Sequence, residues 1–261
     1  MKKNDEERII YYLGDLTEKP PHFNTHSKKL SYPFNSSRIT IYNYVKLYFN
    51  LYKEKVNIPY SVPLLHIFRL LPQQYKKKYF LYVVGDKPPE NKDLCFISRA
   101  RKVNDPSIVL INTVKARLWG GIMQLKSCDI DFSKKKNQAI WRGATTGGDT
   151  KVNLRTILVK SYFHNTNNID VGFCKIVQDQ DQHSHLMKNS MTIPELVQYK
   201  YLICIEGNDV PSSLGWSLAS KSVVFMPKPT YTSWMMIDKL IPYVHYIPLS
   251  DDLTDLEAQI S

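Results

Sequence analysis

The chain has 261 residues, 43% of them hydrophobic and 12% aromatic, which allows one large domain or two of moderate size and excludes a disordered chain. Its 35 basic and 24 acidic residues give a formal charge of +11, so the expected company is anionic: nucleic acid, an anionic membrane or a sugar nucleotide. No run reaches the ~20 apolar residues of a membrane-spanning helix. The amino-terminal MKKNDEERIIYYLGD lacks the apolar core of a signal peptide, and the expected setting is the cytoplasm.

Residues 1–36 are polar and proline-bearing. Ser37 then reads as the cap of a long helix, ITIYNYVKLYFNLYKEKV, whose apolar residues recur at helical spacing. KYFLYVVGDKPP reads as a buried strand stopped by Gly85-Asp86 and a proline pair, and LCFIS and SIVLI as two more strands. A helix is expected over 113–124, followed by a lysine-rich loop that reads as a solvated linker. The shift in composition there divides the chain into 1–135 and 136–261.

The second half alternates regularly. Strand AIWRG leads to helix VNLRTILVKSYF, strand IDVGFCKI and a polar loop, QDQDQHSH, whose His183 and His185 are expected in solvent. Thr192 and Glu195 form a capping-box pattern. Strand YKYLICIEGND, a helix at SSLGWSLAS, strand SVVFM, a helix around Trp234, strand VHYIPL and a helix in DDLTDLEAQI complete the run. Strands alternating with helices predict an α/β fold with a parallel sheet. Two such layers would form two Rossmann-like domains facing a cleft.

In open parallel sheets ligands collect beyond the carboxyl ends of the strands, which selects Asp86, the tract Arg142-Gly143-Ala144-Thr145-Thr146, the tract Glu206-Gly207-Asn208-Asp209, and Lys228. Arginine, glycines and hydroxyls at a strand-to-helix junction, with Arg155 in the following helix, suit a diphosphate, which needs cationic donors and close backbone approach. They equally suit a plain turn, and neither a Walker loop nor GxGxxG is present. Asp86 reads either as a turn aspartate or as a general base. EGNDVPSS reads as a helix start capped by Ser212 or Asp209, or as a set of groups for ribose and sugar hydroxyls. The four cysteines, Cys95, Cys128, Cys174 and Cys204, form no CxxC pair, and no metal site or disulfide framework is expected.

The succession WRGATTG, Arg155, DVGF, YKYLICIEGNDVPSSLGWSLASKSVVFMPK, SW and LIPYVHYIPLSDDLTDL resembles glycosyltransferase family 90, over residues 79–256. The EGND tract is similar to the bacterial lipopolysaccharide branch of that family. The resemblance implies a GT-B-like pair of domains, 1–135 on the acceptor side and 136–261 binding a UDP-sugar. It implies inverting transfer of xylose or glucose to a hydroxyl of a glycan, glycoprotein or glycolipid acceptor, without a required cofactor or metal. LYVVGDKP places Asp86 as the catalytic base. Arg142, Gly143, Thr145, Thr146, Arg155, Asn208, Asp209, Ser212 and Ser213 fall on donor-binding positions, and Lys115, Arg117 and Lys228 on further donor or acceptor contacts. Two departures stand out: Ser213 replaces an arginine of the glucosyltransferase branch, and relatives run on through further helices beyond DDLTDLEAQI. No secretion signal or retrieval motif is read. The competing expectation is a non-catalytic, nucleic-acid-binding protein using the basic, tyrosine-rich surface; the lysines are scattered among loops, which disfavours it.

Overall fold

The computed structural model describes residues 3–14, 36–40, 79–83, 96–112, 121–147, 153–165, 167–177 and 181–260. The chain divides into two compact units, residues 1–114 with 231–236 and residues 115–230 with 237–261.

In the first unit, helix α1 (Lys3–Leu13) is uninterrupted by Gly or Pro and carries Asp5 and Glu6 in its first turn, where they meet the positive end of the helix dipole. Gly14 ends it in the left-handed conformation, φ 57°. The sequence reading missed this helix. Four strands, β1 (Ser36–Thr40), β2 (Tyr79–Val83), β3 (Phe96–Ser98) and β5 (Ile108–Leu110), form a sheet in the order β1-β2-β3-β5. β1 runs antiparallel to β2, with Ser37 opposite Tyr82 and Ile39 opposite Phe80, while β2, β3 and β5 are parallel. Ser37 is therefore no helix cap. Pairing with β2 outweighs local helical spacing, and the β-branched Ile39 and Thr40 suit a strand. The rest of the expected helix lies outside the described residues.

A short strand β4 (Ala100–Lys102) pairs antiparallel with β10 (Tyr231–Ser233). β10 stands where the sequence suggested a helix around Trp234. Buried Arg101 ties this layer to α1, donating from Nη1 to the Ile108 carbonyl and from Nη2 to the Tyr11 carbonyl, both at 2.8 Å. The Tyr11 hydroxyl meets Thr232 Oγ1 at 2.6 Å, and the Tyr12 hydroxyl donates to the Trp234 carbonyl at 2.8 Å.

The second unit is a parallel sheet of β6 (Lys136–Ala144), β7 (Ile169–Lys175), β8 (Tyr199–Ile203), β9 (Val223–Pro227) and β11 (Ile247–Leu249), in the order β11-β9-β8-β6-β7. Helices α2 (Ile122–Cys128), α3 (Leu154–Tyr162), α4 (Ile193–Leu196), α5 (Leu214–Ala219) and α6 (Leu256–Ile260) belong to it. Helix α2 lies later than expected; residues 113–120 are outside the described ones.

Both faces of this sheet are covered. Trp141, Val171, Phe173, Ile203 and Phe225 pack with α3 and α6 through Leu158, Val159, Leu256 and Ile260. On the other face Ile140 and Leu202 pack with Leu125 of α2 and Trp216 of α5. Double burial explains why the strands read as continuous apolar runs. The expected α/β class and parallel sheet are present. His183 departs from expectation: its segment, DQHSHL, forms a 3-10 turn over Asp181–Leu186. That turn packs on β7, so His183 is buried edge-on to Phe173, with ring centroids 5.6 Å apart.

Candidate functional site

Numbered along the chain, the spatial order of the second sheet is 2-1-3-4-5, and the order reverses between β6 and β8. Ligands of open α/β sheets bind at such a reversal, outside the carboxyl ends of the two strands that flank it. The loops that leave those ends are 145–147 and 204–209. The sheet topology thus brings together ATTG and EGND, tracts about sixty residues apart.

Arg155 clips them. It sits in the first turn of α3, whose cap is Asn153: Asn153 Oδ1 accepts the backbone N–H groups of Arg155 and Thr156 at 3.1 and 3.2 Å. The Arg155 guanidinium reaches over the strand ends. Nη1 donates to the Ala144 carbonyl at 3.0 Å and to Thr146 Oγ1 at 2.7 Å, Nε to the Glu206 carbonyl at 3.1 Å, and Nη2 to the Ile205 carbonyl at 3.1 Å. It also stacks over the Trp141 ring at 5.7 Å. A guanidinium offers several donors in a fixed fork, which suits the joining of two backbone segments.

The loops touch directly as well. The Gly147 N–H donates to Asn208 Oδ1 at 3.1 Å. Gly147 has φ 100°, and Gly207 has no space for a side chain, since a Cβ there would stand 2.5 Å from Thr146 Oγ1 and 2.8 Å from Arg155 Cζ. These two glycines serve close loop-to-loop approach. Gly143 serves packing: a Cβ would lie 2.4 Å from the Trp141 ring.

The other predicted residues lie in these loops or around them. Thr145 is buried, its N–H donating to the Lys175 carbonyl and its Oγ1 accepting the Val177 N–H at 3.0 Å, so it fastens β6 to the end of β7. Asp209 is buried beside exposed Ser212. Ser213, and neither Ser212 nor Asp209, is the cap residue of α5, without a side-chain cap bond. Its Oγ lies 3.6 Å from the Cys204 thiol, whose pKa is pushed up by burial. Lys228 is exposed just past β9. Glu206 accepts the Thr230 N–H at 3.0 Å and the Thr230 hydroxyl at 2.5 Å. Asp86, Lys115 and Arg117 lie outside the described residues. Among the described residues no group of three His, Cys, Asp or Glu side chains is placed to hold a metal ion.

Arg142 is engaged elsewhere, on the β6–β7 side. Nη2 grips both carboxylate oxygens of Asp170 at 2.9 Å, and Nη1 donates to the Trp141 and Asp170 carbonyls at 2.9 and 3.0 Å. Lys188 Nζ reaches the same carboxylate at 2.8 Å, its stem crossing Gly172, where a Cβ would lie 2.7 Å from Lys188 Cγ. Burial raises the Asp170 pKa, but the hydrogen bonds and charges of Arg142 and Lys188 outweigh it and hold the carboxyl below its ordinary value. This role of the aspartate and glycine of DVGF is not legible in the residues on their own. The one available signal was a carboxylate and a glycine alternating inside an apolar strand.

The reversed strand order and the clipped loops define an α/β unit with a switch point of the kind at which open α/β sheets bind ligands. A family model described as Glycosyl transferase family 90 matches residues 113–261, more than half of the chain, and the chain belongs to that family. It is 37% identical over 131 residues to O-glucosyltransferase LpsA of Dichelobacter nodosus, covering 50% of this chain and 38% of that protein. It is 32% identical over 132 residues to Protein O-glucosyltransferase 2 of Danio rerio, covering 49% of this chain and 25% of that protein. The chain thus spans well under half the length of either curated relative. No described helix is long and apolar enough to cross a membrane.

Proposed function

We propose that the protein is an inverting glycosyltransferase that moves a sugar from a UDP-sugar to a hydroxyl group of a glycan, glycoprotein or glycolipid acceptor. The observation that carries this reading is the family match over residues 113–261, which contains both loops of the switch-point crevice. Two relatives named as O-glucosyltransferases make glucose the first donor to test, with xylose second. The same reading assigns a GT-B-like pair of domains, a cytoplasmic setting and no required metal.

In this reading the Asp86 carboxylate takes the proton of the acceptor hydroxyl. The acceptor oxygen attacks the anomeric carbon from the face opposite the nucleotide, the bond from that carbon to the diphosphate oxygen breaks, and UDP leaves with the bonding pair. Negative charge grows on the departing diphosphate, so fixed donors and cations are most useful there. Arg155, Thr146 and Asn208 hold the crevice in shape. Gly143, Gly147 and Gly207 keep side chains out of the packed strand end and of the loop contact. Ser212, Ser213 and Lys228 supply hydroxyls and a cation near its rim, and Lys115 and Arg117 add cationic contacts. Thr145, Asp209 and Arg142 act by positioning: Thr145 and Arg142 tie β6 to β7, and the Asp209 carbonyl, accepting the Gly207 N–H at 3.2 Å, closes the EGND turn.

The test is a panel of UDP-, GDP- and TDP-sugars, read by thermal stabilisation and by release of nucleotide in the presence of glycan acceptors. A ligand at 100 times its Kd stabilises by about 2.7 kcal/mol. The expected result is a shift with UDP, a larger one with UDP-glucose, and sugar transfer. No shift with any nucleotide sugar, together with steeply salt-dependent binding to single-stranded nucleic acid, would overturn the proposal.

A further inference from the structure

Glu206 is held at two ends by different partners. Its main-chain carbonyl accepts Nε of Arg155 at 3.1 Å, so it is part of the clip across the switch-point crevice. Its carboxylate accepts from Thr230 twice, the backbone N–H at 3.0 Å and the hydroxyl at 2.5 Å. Thr230 is the last residue of the second unit before the chain crosses into the first, where the next residues, Tyr231–Ser233, pair with β4. A turn residue needs one cap. Here one carboxylate takes both donors of a threonine 24 positions away, at the point where the chain leaves the unit.

We propose that Glu206 is a positioning residue that couples the nucleotide crevice to the crossing segment 230–233. When nucleotide orders the loop 205–209, the Glu206–Thr230 bonds carry that order to the strand that belongs to the other unit. The inference rests on the proposed function for the identity of the ligand. Its geometric part, the tie itself, stands without it.

The experiment uses the full chain with UDP as the probe and follows amide hydrogen exchange. In the wild type, UDP slows exchange in the loops 145–147 and 205–209 and also in 229–233. In Glu206→Ala the protection of the loops persists, and that of 229–233 is lost. Thr230→Val, which removes only the hydroxyl, reduces the protection of 229–233, and Thr230→Ser restores it. In transfer assays Glu206→Ala lowers kcat about tenfold, the equivalent of one hydrogen bond to a charged group, with Kd for UDP changed less than about twofold. A turn cap alone would lower thermal stability and leave kcat and the exchange pattern unchanged, and that result overturns the coupling. UDP binding without protection of 229–233 in the wild type overturns it too. Absence of UDP binding to the wild type would overturn the functional reading along with the coupling, and is thereby told apart from failure of the coupling alone.

Discussion

Arg142 and Asp170 form a two-pronged ion pair, Nη2 lying 2.9 Å from each carboxylate oxygen, between neighbouring strands β6 and β7. With Lys188 on the same carboxylate, three charged side chains hold the segment 188–189 against the edge of the sheet, and Arg142 Nε also donates to the Asn189 carbonyl at 3.3 Å. The WRG and DVGF tracts are thus two halves of one structural device.

That device has a pH signature. Asp170 has its carboxyl pKa depressed in the folded state by Arg142 and Lys188, against the upward push of burial. A depressed carboxylate contributes stability above its unfolded pKa, about 3.9, and loses it as pH falls through the folded value. Stability should therefore fall below about pH 4, and Asp170→Asn should flatten that part of the profile. At neutral pH the variant should lose about 1–3 kcal/mol, because two cations lose their charged acceptor. Urea unfolding between pH 3 and 7 measures both effects.

Gly207→Ala places a methyl group against Thr146 Oγ1 and Arg155 Cζ, where no space exists. The Thr146 hydroxyl or the Arg155 guanidinium must move to admit it, and the clip between the loops opens. UDP affinity should weaken about tenfold or more, the loss of one or two hydrogen bonds. Titration calorimetry reads this directly. Affinity within about twofold of the wild type would show that the loop contact does not shape the crevice.

Lys135 is wholly buried, and its ammonium meets the Asp129 carboxylate and the Val197 carbonyl. Removing one member of a buried pair strands the other, at a cost of about 3–5 kcal/mol. Lys135→Met should lower Tm on the order of 10 °C. The double variant with Asp129→Asn should recover much of the loss, and calorimetric scans of the three proteins check it.

Asp86→Ala tests the catalytic assignment. Loss of a general base should cut kcat about 10²- to 10⁴-fold with little change in UDP affinity. Near-normal transfer would remove Asp86 from the base role. Steady-state kinetics beside calorimetric binding separate the outcomes.

Burial of Cys204 gives a chemical check on the packing beneath α5. Its thiol stays protonated at neutral pH and shielded from reagents. Thiol-specific labelling with mapping by mass spectrometry should find Cys204 unmodified in the native protein and modified in denaturant. Modification at native rates equal to those of Cys128 would contradict the placement.

What is local or periodic is legible in the residues alone. The runs AIWRG, IDVGFCKI, YKYLICIEGND, SVVFM and VHYIPL fall on strands, observed over 136–144, 169–175, 199–203, 223–227 and 247–249, because burial on both faces of the sheet keeps their centres apolar. The capping box at Thr192 and Glu195 forms as read, both partners lying within one helical turn. The family was legible in the succession WRGATTG, DVGF and EGNDVPSS, which lies within the matched residues 113–261. The partners of these residues came from long-range packing. Arg142 and Arg155 looked alike as candidate phosphate ligands, yet one pairs with Asp170, 28 residues away, and the other clips carbonyls up to 51 residues away. Ser36–Thr40 became a strand, and Tyr231–Ser233 a strand in the other unit, through pairings that helical spacing and turn propensity do not encode. His183 went inside because a polar run folded onto β7. Local sequence fixes which conformations are cheap, while hydrogen bonds and burial between distant segments choose among them, and that choice brought the loops 145–147 and 204–209 together at the reversal between β6 and β8.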